Sequence, residues 1–271
     1  MKTRVISGVV LVAILVASLV LGGPVLAAAL LFCSLTGMYE MMKALGAVTE
    51  EKPFPPAAVA GYAGAVFYYV LIFFTGDLYF GEAAAVIVIT IMAFYVVTFP
   101  GCRSSQAIDV CFSFIYVAFM LSFIYLIRAG ANGIIYVWLV FGSSWAADTC
   151  AYFAGVRFGR HKMTPVLSPK KTWEGAVGGV LGAALIATIF ALILDPSRNW
   201  LPYTLTCAVG SVISIFGDLA ASAIKREKGI KDYGTLIPGH GGIMDRFDSV
   251  IFTAPGIYFL IRVFLTAGVL R

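Results

Sequence analysis

The chain has 271 residues, of which 61% are hydrophobic and only 12% charged, with a mean hydropathy of +0.95. Ordinary soluble domains carry about a quarter charged residues, so that class is excluded. The formal net charge is +5, from 19 Lys and Arg against 14 Asp and Glu; no nucleic-acid partner is expected. Segments of about 20 apolar residues must satisfy their own backbone groups in hydrocarbon. Here they read as helices, since the polar/apolar alternation of a β-barrel is missing. The fold class expected is an all-α, polytopic transmembrane helix bundle.

In chain order, the apolar runs and their turn signals predict nine spans: 5–21, 24–46, 57–75, 83–100, 107–128, 133–154, 173–194, 200–221 and 250–269. The first resembles a signal peptide, with Lys2 and Arg4 ahead of an apolar core. That core is longer than a signal core and runs straight into a second hydrophobic segment, so an uncleaved first helix is expected. The punctuation lies at Gly22-Gly23-Pro24, Pro53, Pro55-Pro56, Gly76-Asp77, Pro100-Gly101, Asn132-Gly133 and Asp195-Pro196. With the N-terminus placed in the cytoplasm, only Arg128, Arg198, Arg262 and Arg271 of the 19 cations fall on the outer side. This is the asymmetry of the positive-inside rule. It predicts an integral protein of the cytoplasmic (inner) membrane.

Two cytoplasmic loops stand out, 155–172 and 222–249. The expected organisation is therefore a scaffold of transmembrane helices over 1–132 and a catalytic region over 133–271. Cys33, Cys102, Cys111, Cys150 and Cys207 are scattered singly, without the spacing of a zinc site or a disulfide framework, and are read as reduced packing residues. His161 and His240 are too few and too far apart to suggest a His-based metal site.

The first loop, "VRFGRHKMTPVLSPKKTWEG", is rich in cations. One reading is an anchor on anionic headgroups. Another is an anion site, because Ser168, Lys170, Lys171 and Thr172 precede the seventh span, where helix N-terminal amides favour phosphate. Asp148 lies inside the sixth span, where an acid is costly and points to a function or to a partner. Near the end of the eighth span, Asp218, Ser222 and Lys225 fall at i, i+4 and i+7 on one helical stripe. That stripe suits a metal at its lower rung and a phosphate at its upper one. A helix-end ion pair would use the same residues.

The second loop ends in "KDYGTLIPGHGGIMDRFDS". Its glycines allow Gly239, His240, Gly241 and Gly242 to form a backbone nest for an anion. Asp245 and Asp248 follow with Arg246 between them, opening the ninth span. Carboxylates there could equally serve the helix dipole. Hard oxygen donors without thiolates suit Mg²⁺, and cationic loops around them suit phosphates. The residues alone thus point to a metal-assisted phosphoryl or nucleotidyl transferase acting on a lipid at the cytoplasmic face.

The run "SAIKREKGIKDYGTLIPGHGGIMDRFD", Ser222 to Asp248, resembles the signature of the phosphatidate cytidylyltransferases, or CDP-diacylglycerol synthases. The pattern of that family is met through Lys225-Arg226, Lys231-Asp232, Gly234, Pro238, His240-Gly241-Gly242 and Asp245-Arg246-Phe247-Asp248. "LSPKKTWEG" and Gly217-Asp218 extend the likeness over roughly 145–250, whereas 1–140 match only in hydropathy. The resemblance implies transfer of CMP from CTP to phosphatidic acid, with CDP-diacylglycerol and pyrophosphate as products of a step in phospholipid biosynthesis. It implies Mg²⁺ held by Asp218 and Asp245, alongside a monovalent cation such as K⁺, and a homodimer among membrane lipids. Lys170, Lys171, Lys225, Arg226 and Lys231 would neutralise phosphates, and Asp148 and Asp248 would support the metal or orient Arg246. His240 would either donate to phosphate or shape the loop.

Two other classes compete for these residues. A CDP-alcohol phosphatidyltransferase also pairs a lipid with carboxylate-bound metal, but its compact D-G-x2-A-R motif is missing. An ion-coupled anion transporter would use the intramembrane acids, but the chain shows no internal repeat.

Overall fold

The computed structural model describes residues 2–194 and 199–270. The turn expected at Asp195-Pro196, together with Arg198 and Arg271, lies outside the described residues, as do the side chains of Lys2 and Arg4. The chain is helical almost throughout. In order the helices are α1 (Lys2–Leu21), α2 (Gly23–Leu45), α3 (Pro56–Thr75), α4 (Phe80–Val97), α5 (Ser104–Ala129), α6 (Gly133–Phe158), α7 (Trp173–Leu194), α8 (Leu201–Glu227) and α9 (Met244–Thr266). A short hairpin of β1 (Lys162–Thr164) and β2 (Ser168–Thr172) joins α6 to α7.

Eight of these helices, α2 to α9, are long and apolar enough to cross a membrane, and the protein is an integral membrane protein. The first expected span, 5–21, corresponds to α1, whose apolar part, Ser7–Leu21, is shorter than the others. Three expected boundaries move for one reason: a helix continues past the apolar run while its backbone can still bond within itself. Thus α6 runs on to Phe158, α8 to Glu227, and α9 begins at Met244 rather than at 250. Two helices contain a π-helical segment, Phe114–Phe119 in α5 and Gly142–Ala146 in α6.

The chain forms two compact units. One comprises Met1–Ala129 with Lys228–Phe247, the other Gly130–Glu227 with Asp248–Arg271. The polar segment 228–247 packs with the first helices. In the first unit, Tyr68, Tyr69, Phe114 and the methionines Met38, Met41 and Met42 are buried. The two tyrosine hydroxyls are satisfied locally, by Ser122 Oγ (3.0 Å) and Ser34 Oγ (2.8 Å) respectively, as an apolar core requires. Arg128 donates from Nε to Leu19 O (2.7 Å) and from a terminal nitrogen to Val20 O (3.1 Å). It thereby neutralises the carbonyl end of α1.

In the second unit, α7 buries Gly175, Gly179, Ala183, Ala187 and Ala191, one small residue per turn. Lipid chains are as apolar as the helices, so association in a membrane relies on close van der Waals approach, which small residues permit. A Cβ on Gly179 would stand 2.9 Å from Ala147 O, and one on Gly182 would stand 2.5 Å from Cys150 Sγ. The α6/α7 contact is therefore backbone-close. Gly210 does the same for α8, where a Cβ would meet Ser143 Oγ at 2.6 Å. Ser143 is in turn held by its bond to Leu139 O (2.6 Å).

The substitution Gly179→Leu should lower stability by about 1–3 kcal/mol through overpacking. Thermal unfolding in a fixed detergent measures it, and an unchanged midpoint would show that α6 and α7 can separate freely there.

Candidate functional site

The second unit holds a cavity of about 420 Å³. Lys162, Lys170 and Lys171 line it from the hairpin, with Thr172 at its edge and Asp148 from α6. The hairpin is what gathers these cations. Antiparallel pairing sets Lys162 opposite Thr172 and Thr164 opposite Ser168. Glu174, in the first turn of α7, ties down the approach by accepting from the amides of Arg160 (3.1 Å) and His161 (3.2 Å) and by pairing with His161 Nδ1 (2.6 Å). Thr172 caps α7: its Oγ1 accepts from the amide of Gly175 at 3.1 Å. The capping hydroxyl expected from sequence is thus engaged within its own helix.

Asp218 stands on α8 with its two oxygens in different company. Oδ2 meets Lys171 Nζ at 2.5 Å, and Oδ1 accepts from Ser222 Oγ at 3.3 Å. The i, i+4 half of the expected stripe is therefore formed, and a lysine from the hairpin joins it, a pairing that helical spacing alone does not reveal. Gly217 explains why α9 comes so near. A Cβ there would lie 2.9 Å from Asp248 O and from Phe252 Cβ. As a result Asp148, Asp218 and Asp248 lie within electrostatic reach of one another, with Lys171 and Lys225 as the opposing charges.

The Gly-rich segment belongs to the first unit. Ile237 to His240 is a tight turn closed by the His240 amide on Ile237 O (2.9 Å). Pro238 takes its second position and Gly239, at φ 78°, its third, as a type II turn demands. Gly241 is also left-handed, at φ 83°; its Cβ would strike Asp245 Oδ2 at 2.7 Å. Asp245 is buried, and Oδ2 accepts from the amides of Tyr233 (2.8 Å) and Gly242 (3.0 Å). The amides of His240 and Gly242 therefore hold the loop together. Ser7 Oγ, on α1, donates to Pro238 O (3.1 Å) and lies 3.0 Å from His240 Nδ1. A hydroxyl has one proton, and with it on Pro238 O the contact to His240 is one in which Nδ1–H donates to Ser7 Oγ. His240 thus makes a loop-shaping bond. Lys231 and Arg226 are exposed, and Arg246 Nε is buried with no hydrogen-bond partner among the described residues, a donor suited to an anion.

One buried acid at the Gly-rich segment escaped the sequence reading. Glu40 on α2 is only 4% exposed, and its carboxylate accepts from the amides of Ile243 (3.1 Å) and Met244 (2.9 Å) at the start of α9. An acid within a membrane helix costs about 3 kcal/mol, and two charge-assisted bonds of about 1.5–3 kcal/mol each offset that. The available signal was the acid itself, set in the apolar run "GMYEMM".

Among the described residues no three His, Cys, Asp or Glu side chains enclose a ready-made metal cage. Mg²⁺ does not need one, since it commonly takes one or two carboxylates and completes its shell with phosphates and water. The oxygen donors around Asp218 fit that habit.

The sequence profile of the cytidylyltransferase family matches residues 2–264. The chain belongs to the cytidylyltransferase family. Over 168 residues it is 39% identical to the phosphatidate cytidylyltransferase of Thermotoga maritima, a match covering 58% of this chain and 59% of that protein. It is 42% identical over 135 residues to the Bacillus subtilis phosphatidate cytidylyltransferase, covering 49% of each. The Haemophilus influenzae protein of the same name is 42% identical over 128 residues, covering 46% of this chain and 44% of that one. The chain spans about half the length of the curated relatives it matches.

Replacing Thr172 by Ala should cost about 1 kcal/mol, while Ser should retain most of the stability. Chemical unfolding of the three proteins in one detergent tests the cap, and equal midpoints would refute it.

Proposed function

We propose that this cytidylyltransferase-family chain transfers CMP from CTP to phosphatidic acid, yielding CDP-diacylglycerol and pyrophosphate, at the cytoplasmic face of the membrane. The observation that carries the reading is the lysine-lined cavity with Asp148 on its wall and Asp218 paired to Lys171. It is a place for phosphates beside carboxylates, on a chain whose relatives bear the name phosphatidate cytidylyltransferase. The one-sided distribution of Lys and Arg supports the orientation.

In the proposed reaction a phosphate oxygen of phosphatidic acid attacks the α-phosphorus of CTP. The P–O bond to the β-phosphate breaks, and pyrophosphate leaves. The second pKa of a phosphate monoester is about 6, so the nucleophile is ionised at neutral pH and the chain need not supply a strong base. Its task is to position two polyanions and offset their repulsion. Lys162, Lys170 and Lys171 would do so in the cavity, with Lys225, Arg226 and Lys231 acting on substrate phosphates from the motif and Arg246 offering its buried Nε. When bound, Mg²⁺ supplies charge neutralisation at the triphosphate. By the motif, Asp218 and Asp245 would hold it, each through its own oxygens.

Lys171 is central to this reading. While it is paired, Asp218 is neutralised from within. An incoming phosphate competes for the ammonium, so binding would exchange a carboxylate–lysine contact for a phosphate–lysine one and free Asp218 Oδ2. K⁺ and a homodimer belong to the same proposal. Activity with Na⁺ in place of K⁺, and the mass of the purified protein, test them.

The decisive assay measures pyrophosphate release from the reconstituted protein while CTP and phosphatidic acid are varied separately. Release should require both lipid and nucleotide, stop on chelation of divalent cations and return with added Mg²⁺. Flux of an anion into vesicles without CTP would instead favour a transporter. Asp218→Asn and Asp245→Asn should each reduce turnover by at least about 100-fold, the scale of losing a positioned electrostatic group. Near-native rates at limiting Mg²⁺ in either variant would remove that residue from the proposed metal site.

A further inference from the structure

Glu40 touches the Gly-rich segment at both of its ends. Its two oxygens accept from consecutive amides, Ile243 at 3.1 Å and Met244 at 2.9 Å, so the carboxylate plane is fixed. The backbones of Gly234 and Gly242 press against the same group, and a Cβ on either would collide with Glu40 Oε1. Neither glycine has a positive φ, so the contact with Glu40, not the backbone conformation, is what excludes a larger residue at these positions. From this support the chain leads directly to Asp245. Residues 242–244 are held by Glu40, and Asp245 Oδ2 then closes on the amides of Gly242 and Tyr233. Arg246 follows with its buried Nε.

We infer that Glu40 is a positioning residue for the reaction: from the second helix it fixes where Asp245 and Arg246 stand, without itself touching substrate. The inference rests on the proposed CTP-dependent activity. Both carboxylate oxygens are needed as acceptors. Gln would turn an NH₂ group toward one of the two amides, and Asp, one methylene shorter, would not reach both.

The test uses the full-length reconstituted protein with Glu40→Gln, Glu40→Asp, Glu40→Ala, Gly234→Ala and the Glu40→Ala/Gly234→Ala double variant. The readouts are kcat, KM for CTP and for phosphatidic acid, and amide hydrogen exchange over 233–248. A displacement of about 1 Å costs on the order of 100-fold in rate. Glu40→Ala should therefore lower kcat by about that factor and Glu40→Gln by about 10-fold, with both KM values within about threefold of native. Exchange at Ile243 and Met244 should accelerate in each Glu40 variant. Gly234→Ala should impair kcat in the native background and add little to Glu40→Ala, because the colliding carboxylate is gone. Native kcat in Glu40→Gln and Glu40→Ala, unchanged exchange, or full additivity in the double variant would overturn the inference. If Glu40→Ala does not accumulate as folded protein, Glu40→Gln and Glu40→Asp decide it. If the native protein releases no pyrophosphate, the proposed activity fails on its own; accelerated or unchanged exchange at Ile243 and Met244 then decides whether Glu40 holds the segment.

Discussion

A carboxylate removed from water must find donors where it stands, and this constraint shapes the protein more than any single contact between apolar side chains. Asp218, only partly buried, meets it with Lys171 and Ser222, and the buried Asp245 with two amides of its own loop. Glu40 meets it with two amides at the start of the last helix. Apart from Ser222, which lies one turn along the same helix, the partners come from a segment distant in sequence or from a loop with little regular structure. The acid thereby determines the path of a backbone that hydrophobic packing would leave undetermined. A buried ion pair is weak evidence for stability, since apolar residues of the same volume often do as well. These acids are better understood as devices that specify a conformation.

Glycine and the small residues are the second half of the same design. Along α7 they let helices approach until their backbones touch. At Gly217 they bring the backbone of Asp248 against α8, and at Gly234 and Gly242 they admit the Glu40 carboxylate. The two roles differ physically. A helical glycine in a bilayer gains dispersion contacts that a side chain would hold apart, whereas a loop glycine beside a carboxylate lets charge and amide meet at hydrogen-bond distance.

The cation-rich loop between α6 and α7 shows how a flexible-looking sequence becomes a site. As a string it is a solvated charge run. Folded as a hairpin, it sends Lys171 inward to Asp218 while Lys162 and Lys170 stay on the cavity. Glu174 holds its first foot by accepting from the amides of Arg160 and His161, and Thr172 ends its second foot by capping α7. The backbone that carries these cations is therefore fixed, so in the proposed reaction less of the loop would have to be ordered when a polyanion binds.

By itself, the sequence determined the membrane class, the helices to within a few residues, the asymmetric distribution of charge and, through the run from Ser222 to Asp248, the family. These follow from local physics: hydrophobic length, helical period and turn chemistry act over a few neighbouring residues. The register of Asp218 and Ser222 was legible for the same reason, since four residues along a helix fix a contact. Only the tertiary structure decided that Lys171 pairs with Asp218, that the hairpin exists, that the segment 228–247 packs with the first helices, and that Glu40, 203 residues away from Ile243 in sequence, anchors the start of the last one. Such contacts are set by which helices pack against one another. That choice depends on the sum of many weak interactions along whole helices, and no short stretch of residues records it.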